Sequence, residues 1–273
     1  MDARESMMSL VGARRALIGM IHVGALPGTP ASSRGIDELV ENAVAEAMIY
    51  RAAGFNAMMI ENMHDVPYMK SAVGPEITAA MAVIARELRV EIELPLGIQV
   101  LAGANREALA AALAGDAQFI RVEGFVFGHV ADEGWIDASA GPLLRYRREI
   151  HADDIRVFAD IKKKHSAHAL TADVDLVETA KAAEFFRADG VIVTGTATGR
   201  AADTNEVASV AAAVHVPVWV GSGLTPENLA SYAEADGFIV GSSVKIGGVW
   251  SNPLDRLRVE AMARAFGLLP DKA

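Results

Sequence analysis

The chain contains no cysteine. Disulfides and thiolate–metal sites are therefore excluded, and a reducing compartment such as the cytoplasm is expected. Aromatic residues are scarce, at 6%, which suits aliphatic layers of Ala, Val, Ile, Leu and Met better than an aromatic-rich β-sandwich. No apolar run approaches the roughly 18 residues needed to span a bilayer, so no integral membrane segment is expected. The first residues, MDARESMMSLVGARRALIGMIHV, carry charges and lack a signal-peptide core followed by a small-residue cleavage site. Positive charge is in deficit: 25 Lys and Arg stand against 35 Asp and Glu, a net charge of −10. Broad nucleic-acid or anionic-membrane binding needs a basic surface and is not expected.

What is present is a regular alternation. Short apolar runs occur at 16–23, 56–62, 95–101, 119–124, 156–162, 190–195, 216–222 and 236–243. Helical patterns lie between and after them, near 36–53, 75–89, 105–114, 142–150, 173–188, 204–213, 226–233 and 253–266. Strictly alternating strand and helix patterns imply parallel pairing through right-handed crossovers. Near-continuous apolar strands are those covered on both faces. Eight such units predict an α/β chain folded as a (β/α)8 TIM barrel, a single domain over 1–273 with a short N-terminal extension at about 1–14. An open doubly wound sheet is the alternative, but no GxGxxG follows the first strand to support it.

Polar chemistry collects where strands end. His22, His64, His129, His165 and His168 lie at or just beyond strand C-termini, as do Glu61, Glu123 and Asp160, with Gln99, Arg121 and Thr194 near the same level. Barrel enzymes build their active sites at that face. Burying a carboxylate costs several kcal/mol unless it is paired, so acids placed inside apolar strands point to function. The stretch VFADIKKKHSAHAL (157–170) concentrates this pattern. Strand alternation predicts Asp160 and Lys162 facing the mouth, Lys163 turned outward, and His165 and His168 on the next loop. The candidate catalytic residues are Asp160, Lys162, Glu123, Glu61, His22 and His165, and Gln99, Arg121 and Thr194 are candidate substrate contacts. Asp160, Glu123 or Glu61 would move protons; Lys162 and Arg121 would stabilise anionic charge, with Schiff-base formation an alternative role for Lys162.

Two glycine-rich loops end the last two strands, VWVGSGLTPENLA (218–230) and FIVGSSVKIGG (238–248). In barrels, such loops hold phosphate on backbone N–H groups, which selects Gly221, Ser222, Gly223, Gly241 and Ser242. Thr225, Pro226 and Glu227 read as the cap and first turn of the seventh helix. The long loop GFVFGHVADEGWIDASAG (124–141) reads as a lid, with Phe125, Phe127 and Trp135 able to cover a ligand. His22, Glu61, His64, Asp160 and His165 could together suit a divalent ion. No HxH or HExxH marks such a site, so no metal ligand is assigned and no cofactor is firmly implied.

Several segments jointly resemble the BtpA family, which includes the SgcQ-like proteins: MIHVGALPGTP (20–30), GFNAMMIENMHDVPYMK (54–70), GIQVLAGAN (97–105), IRVEGFVFGHVADEGWIDA (120–138), ADIKKKHSAHAL (159–170), VTGTATGRAAD (193–203) and VGSGLTPENL (220–229). GSGLTPEN also looks like the phosphate loop of phosphoribosylanthranilate isomerase. The family resemblance implies a phosphate-binding (β/α)8 barrel. The family takes its name from cyanobacterial members implicated, as peripheral membrane proteins, in photosystem I biogenesis; it carries over no catalytic roles. The expected partner is a small phosphorylated ligand, such as a sugar or ribosyl phosphate, met by an enzyme of the lyase, isomerase or glycosidic-cleavage type. A non-catalytic assembly or regulatory factor and a metal-dependent hydrolase are the alternatives. Alanine-rich helices with apolar faces lead to the expectation of a homo-oligomer.

Overall fold

The computed structural model describes residues 2–195 and 199–270. Strands β1 (Ala16–His22), β2 (Ala57–Glu61), β3 (Leu96–Gln99) and β4 (Phe119–Val122) are followed by β5 (His129–Ala131) and β6 (Gly134–Ile136). Then come β7 (Arg156–Ile161), β8 (Ser166–Ala167), β9 (Gly190–Thr194), β10 (Val218–Gly221) and β11 (Gly237–Val240). Eight of them close into a parallel barrel in the order β1-β11-β10-β9-β7-β4-β3-β2. The outer layer is α2 (Ile36–Ala53), α3 (Pro75–Glu91), α4 (Asn105–Gly115), α5 (Ala140–Glu149), α6 (Leu176–Phe185), α7 (Thr204–Ala213) and α8 (Arg256–Gly267). All eight expected strands are found in their places, and the fold is the expected TIM barrel.

One expected helix does not form. Residues 226–233 give only a 3₁₀ turn, Leu229–Tyr232. The Asn228 side chain accepts a hydrogen bond from the Thr225 N–H at 2.8 Å and donates to the Gly223 carbonyl at 2.8 Å. These two bonds fold the start of the segment back on the phosphate-loop candidate.

The N-terminal extension contributes α1 (Ala3–Val11), which the sequence reading did not anticipate. A reciprocal capping box between Asp2 and Glu5 starts it, and Gly12 in the left-handed region ends it. Its Met7 is fully buried beneath the barrel, where the Trp219 indole N–H points at the Met7 sulfur at 3.4 Å. Above Met7, three aromatic rings fill the interior. Phe158 stacks on Trp219 with centroids 3.6 Å apart, and Phe119 meets both rings edge-on at 5.8 and 5.2 Å. An eight-stranded barrel has room only for side chains to fill it. The sequence makes space by pairing each ring with a neighbouring glycine: Gly97 beside Phe119, Gly190 beside Phe158 and Gly237 beside Trp219. A Cβ at any of the three would overlap the adjacent ring.

Replacing Gly97 or Gly190 with alanine should therefore lower stability by about 1–3 kcal/mol through overpacking. In a denaturant-unfolding cycle, Phe119→Leu should recover part of the Gly97→Ala loss. Strict additivity would show that ring and glycine are not coupled.

Candidate functional site at the C-terminal mouth

The polar level expected from the sequence is built in register. His22 is level with Glu61, and Glu61 with Gln99, across adjacent strands. Inside this ring Arg121 is buried and holds Asp160 with two parallel bonds, Nε to Oδ1 at 2.9 Å and Nη2 to Oδ2 at 2.8 Å. Glu61 approaches the same guanidinium at 4.0 Å. Burial alone would push the Arg121 guanidinium down, but Asp160, Glu61 and Glu123 outweigh it and hold it up.

The lysines are arranged opposite to expectation. β7 ends at Ile161, and Lys162 adopts a left-handed backbone with φ 48°. Strand alternation stops there. The Lys162 ammonium leaves the carboxylate cluster and donates to the Thr171 carbonyl at 3.2 Å. Lys163 instead turns in, is 7% exposed, and binds Glu123 at 3.0 Å with Glu133 at 3.6 Å. Burial would lower Lys163, but the carboxylates of Glu123, Glu133 and Asp160 hold it up as an ammonium. Burial pushes the Glu123 carboxyl up, and the nearby Lys163 only partly offsets it.

The mouth opens into two adjoining cavities. The first, of about 140 Å³, is lined by the two glycine–serine loops (Ser222, Gly223, Thr225, Gly241, Ser242, Ser243) together with His22, Glu61, Arg121 and Lys164. Among the described residues, the backbone N–H groups of Gly223, Leu224, Ser242 and Ser243 make no backbone hydrogen bond. Gly221 is inside β10, and a Cβ there would meet only ordinary contacts. Gly223 differs, because its φ is +63° and its α-carbon lies against the Arg200–Ala201 backbone. It serves the packing of the loop after β9 and need not touch a ligand. Lys164 reaches this cavity with one long contact, to the Ser222 hydroxyl at 3.4 Å. Burial, with Arg121 nearby, pushes its ammonium down.

The second cavity, of about 160 Å³, shares Glu61, Met63, Arg121 and Lys164 with the first and adds Tyr68, Gln99, Glu123, Asp132, Glu133, Lys163 and His165. Gln99 donates to Glu123 at 3.2 Å, while its own Oε1 is buried with no hydrogen-bond partner among the described residues. The segment expected as a lid is folded. β5 and β6 make a hairpin, and β5 also pairs with β8 from the following loop, tying the two loops together. Its aromatics do not cover the mouth: Phe125 is buried in the core, and Trp135 is 41% exposed. The hairpin turn instead delivers Asp132 and Glu133, both missed in the sequence reading. The only hint was a pair of acids inside an otherwise apolar and glycine-rich loop.

The remaining candidates separate. His22 Nδ1 lies 2.9 Å from the Trp250 carbonyl; burial, with Lys245 and His64 beside it, lowers its pKa to about 3. His22 and His64 also border a larger cavity of about 550 Å³ between α2 and the segment before α8, where Lys245 pairs with Glu46 at 3.0 Å. His168 holds the Lys163 carbonyl through Nε2 at 2.9 Å and faces His129. The Thr194 hydroxyl is buried without a partner among the described residues. Part of the VTGTATGRAAD segment, residues 196–198, lies outside the described residues. The five-residue set weighed for a divalent ion is dispersed: Glu61 and Asp160 sit around Arg121, and His64 faces the other cavity. Among the described residues no group of three His, Asp or Glu takes a metal-holding arrangement.

A closed barrel with carboxylates, a buried arginine and paired glycine–serine loops at one mouth defines the (β/α)8 class with a polar ligand site. The chain belongs to the BtpA family, whose model matches residues 13–267. It is 48% identical to an uncharacterised mitochondrial protein of Caenorhabditis elegans over 98% of this chain and 99% of that one. It is 34% identical to the photosystem I biogenesis protein BtpA of Synechocystis, covering 94% and 91% of the two chains. Among solved structures it is similar to (S)-3-O-geranylgeranylglyceryl phosphate synthase from Thermoplasma acidophilum in complex with sn-glycerol-1-phosphate. That match has a TM-score of 0.59 and 16% identity, and covers 97% and 98% of the chains. No helix among the described residues is long and apolar enough to cross a membrane.

Two outcomes are expected of this geometry. Arg121→Met leaves Asp160 buried without its counter-charge and should cost about 3–5 kcal/mol in urea unfolding. For His22 the folded value of about 3 lies below the ordinary 6.5. Its contribution to stability is therefore complete above pH 6.5 and is lost as pH falls from there toward about 3. His22→Gln should flatten the acid limb of the stability–pH curve, and an unchanged limb would show that His22 is not held neutral.

Proposed function

We propose that the chain is an enzyme acting on a small phosphorylated metabolite of the sugar- or ribosyl-phosphate class. The observation that carries this reading is a pair of joined cavities that share Glu61, Arg121 and Lys164 and differ in the groups each adds. One offers the backbone N–H groups of Gly223, Leu224, Ser242 and Ser243, which make no backbone hydrogen bond among the described residues, with the Ser222 hydroxyl and the Lys164 amino group. These are donors suited to a phosphate. The other adds Gln99 Oε1 and Glu133 Oε2, which have no hydrogen-bond partner among the described residues and are acceptors suited to hydroxyl groups. A ligand with phosphate at one end and hydroxyls at the other fits one way round. The solved synthase of the same fold holds sn-glycerol-1-phosphate, a ligand of that shape.

Roles follow from position. Glu61, on the wall shared by both cavities, is placed to take and return protons, whereas Glu123 accepts from Gln99 through one oxygen and from Lys163 through the other. Asp160 spends both oxygens on Arg121 and acts by fixing the guanidinium, so it positions a charge and does not itself transfer protons. His22 stays neutral and can donate or accept through its free edge beside Gly241. A chain without cysteine suits a reducing compartment, and a homo-oligomer is the expected assembly.

Calorimetric titration tests the reading. Ribose 5-phosphate should bind and ribose should not, and Ser222→Ala combined with Lys164→Met should weaken the phosphate ester at least tenfold. Glu133→Gln should leave inorganic phosphate binding unchanged. Equal binding of ribose and its phosphate would remove the phosphate assignment.

A further inference from the structure

We propose that Lys164 is a nucleophile that forms an imine with the carbonyl carbon of a phosphorylated aldehyde or ketone. This rests on the phosphate reading above and narrows it. Of the lysines in or near the mouth, Lys164 alone has the surroundings for the task. Lys163 is fixed as an ammonium between Glu123 and Glu133, Lys245 is paired with Glu46, and Lys162 is turned away to Thr171. Lys164 has no carboxylate within ion-pair distance among the described residues, and its one contact is a neutral hydroxyl at 3.4 Å. Its chain lines both cavities, so the amine stands where the phosphate half and the hydroxyl half of a bound ligand would join. Burial and the neighbouring Arg121 favour the uncharged amine, the form that attacks a carbonyl.

The step balances without any co-reactant. The Lys164 Nζ lone pair forms the C–N bond as the carbonyl π pair moves to oxygen, giving a carbinolamine after proton transfer. Glu61, on the shared wall, relays a proton from solvent to the leaving hydroxyl, and the nitrogen keeps its remaining hydrogen. Water departs and the C=N bond forms. The protonated imine withdraws electrons from the adjacent C–H or C–C bond. That serves isomerase and lyase chemistry but not glycosidic cleavage, so the inference chooses among the reaction types left open above.

Borohydride trapping tests it. The full chain is incubated with glyceraldehyde 3-phosphate, erythrose 4-phosphate or, as control, glyceraldehyde, then reduced and mapped by peptide mass. One stable adduct at Lys164 is expected with at least one phosphorylated aldehyde. It should be at least fivefold less abundant with glyceraldehyde and suppressed by inorganic phosphate. Lys164→Arg replaces the primary amine with a guanidinium that forms no imine, so it should lose the adduct while glycerol 3-phosphate binding stays measurable; Lys162→Met should keep both. An adduct that survives Lys164→Arg, or none at Lys164 while glycerol 3-phosphate binds, overturns the imine and leaves the phosphate reading standing. Failure of glycerol 3-phosphate to bind the unmodified chain overturns both.

Discussion

Arg121 is a guanidinium enclosed by a barrel, and every other polar group at the mouth is arranged around it. A buried cation is tolerable only if carboxylates surround it, and Asp160 supplies the bidentate contact while Glu61 stands farther off. Asp160 gives both oxygens to Arg121 and acts on Lys163 only through its charge. Lys163 goes to Glu123 and Glu133, and Lys164 is left over. The uncommitted amine is thus the remainder of a charge balance that begins with Arg121.

The aromatic plug below makes this balance necessary. Phe119, Phe158, Trp219 and Met7 fill the lower barrel so fully that no polar side chain can retreat downward. The acids and bases must point at the mouth, where the two glycine–serine loops leave backbone donors exposed on one side. The hairpin of β5 and β6 closes the other side and brings Glu133 across to Lys163. Stitching that hairpin to β8 ties the lid to the very segment that carries the lysines. A shift of the lid is therefore a shift of the Lys163 counter-charge.

Much of this was legible in the sequence because it depends on local periodicity. Apolar runs of strand length placed all eight barrel strands, and the position of Glu61, Glu123 and Asp160 at strand ends placed them at one mouth. The glycine–serine loops were equally visible, since the last two strands end in them. The expected seventh helix is only a 3₁₀ turn, Leu229–Tyr232, because start signals at Thr225–Glu227 mark where a turn begins and not how far it runs. The plugging helix α1 was missed because its worth lies in Met7 meeting Trp219, a partner 212 positions away.

The sequence by itself determined the alternation of strands and helices, the aliphatic composition of the layers and the end of the barrel at which charge collects. These follow from spacing along the chain, which strands and helices convert directly into faces. Only the tertiary structure decided which lysines face the barrel mouth. One residue, Lys162, takes a left-handed φ of 48° where β7 ends. From there the two-residue rhythm of a strand no longer applies, so Lys163 and Lys164 enter the mouth and Lys162 leaves it. The next loop then pairs with β5, and no pattern in the sequence VFADIKKKHSAHAL reports either the turn or that pairing.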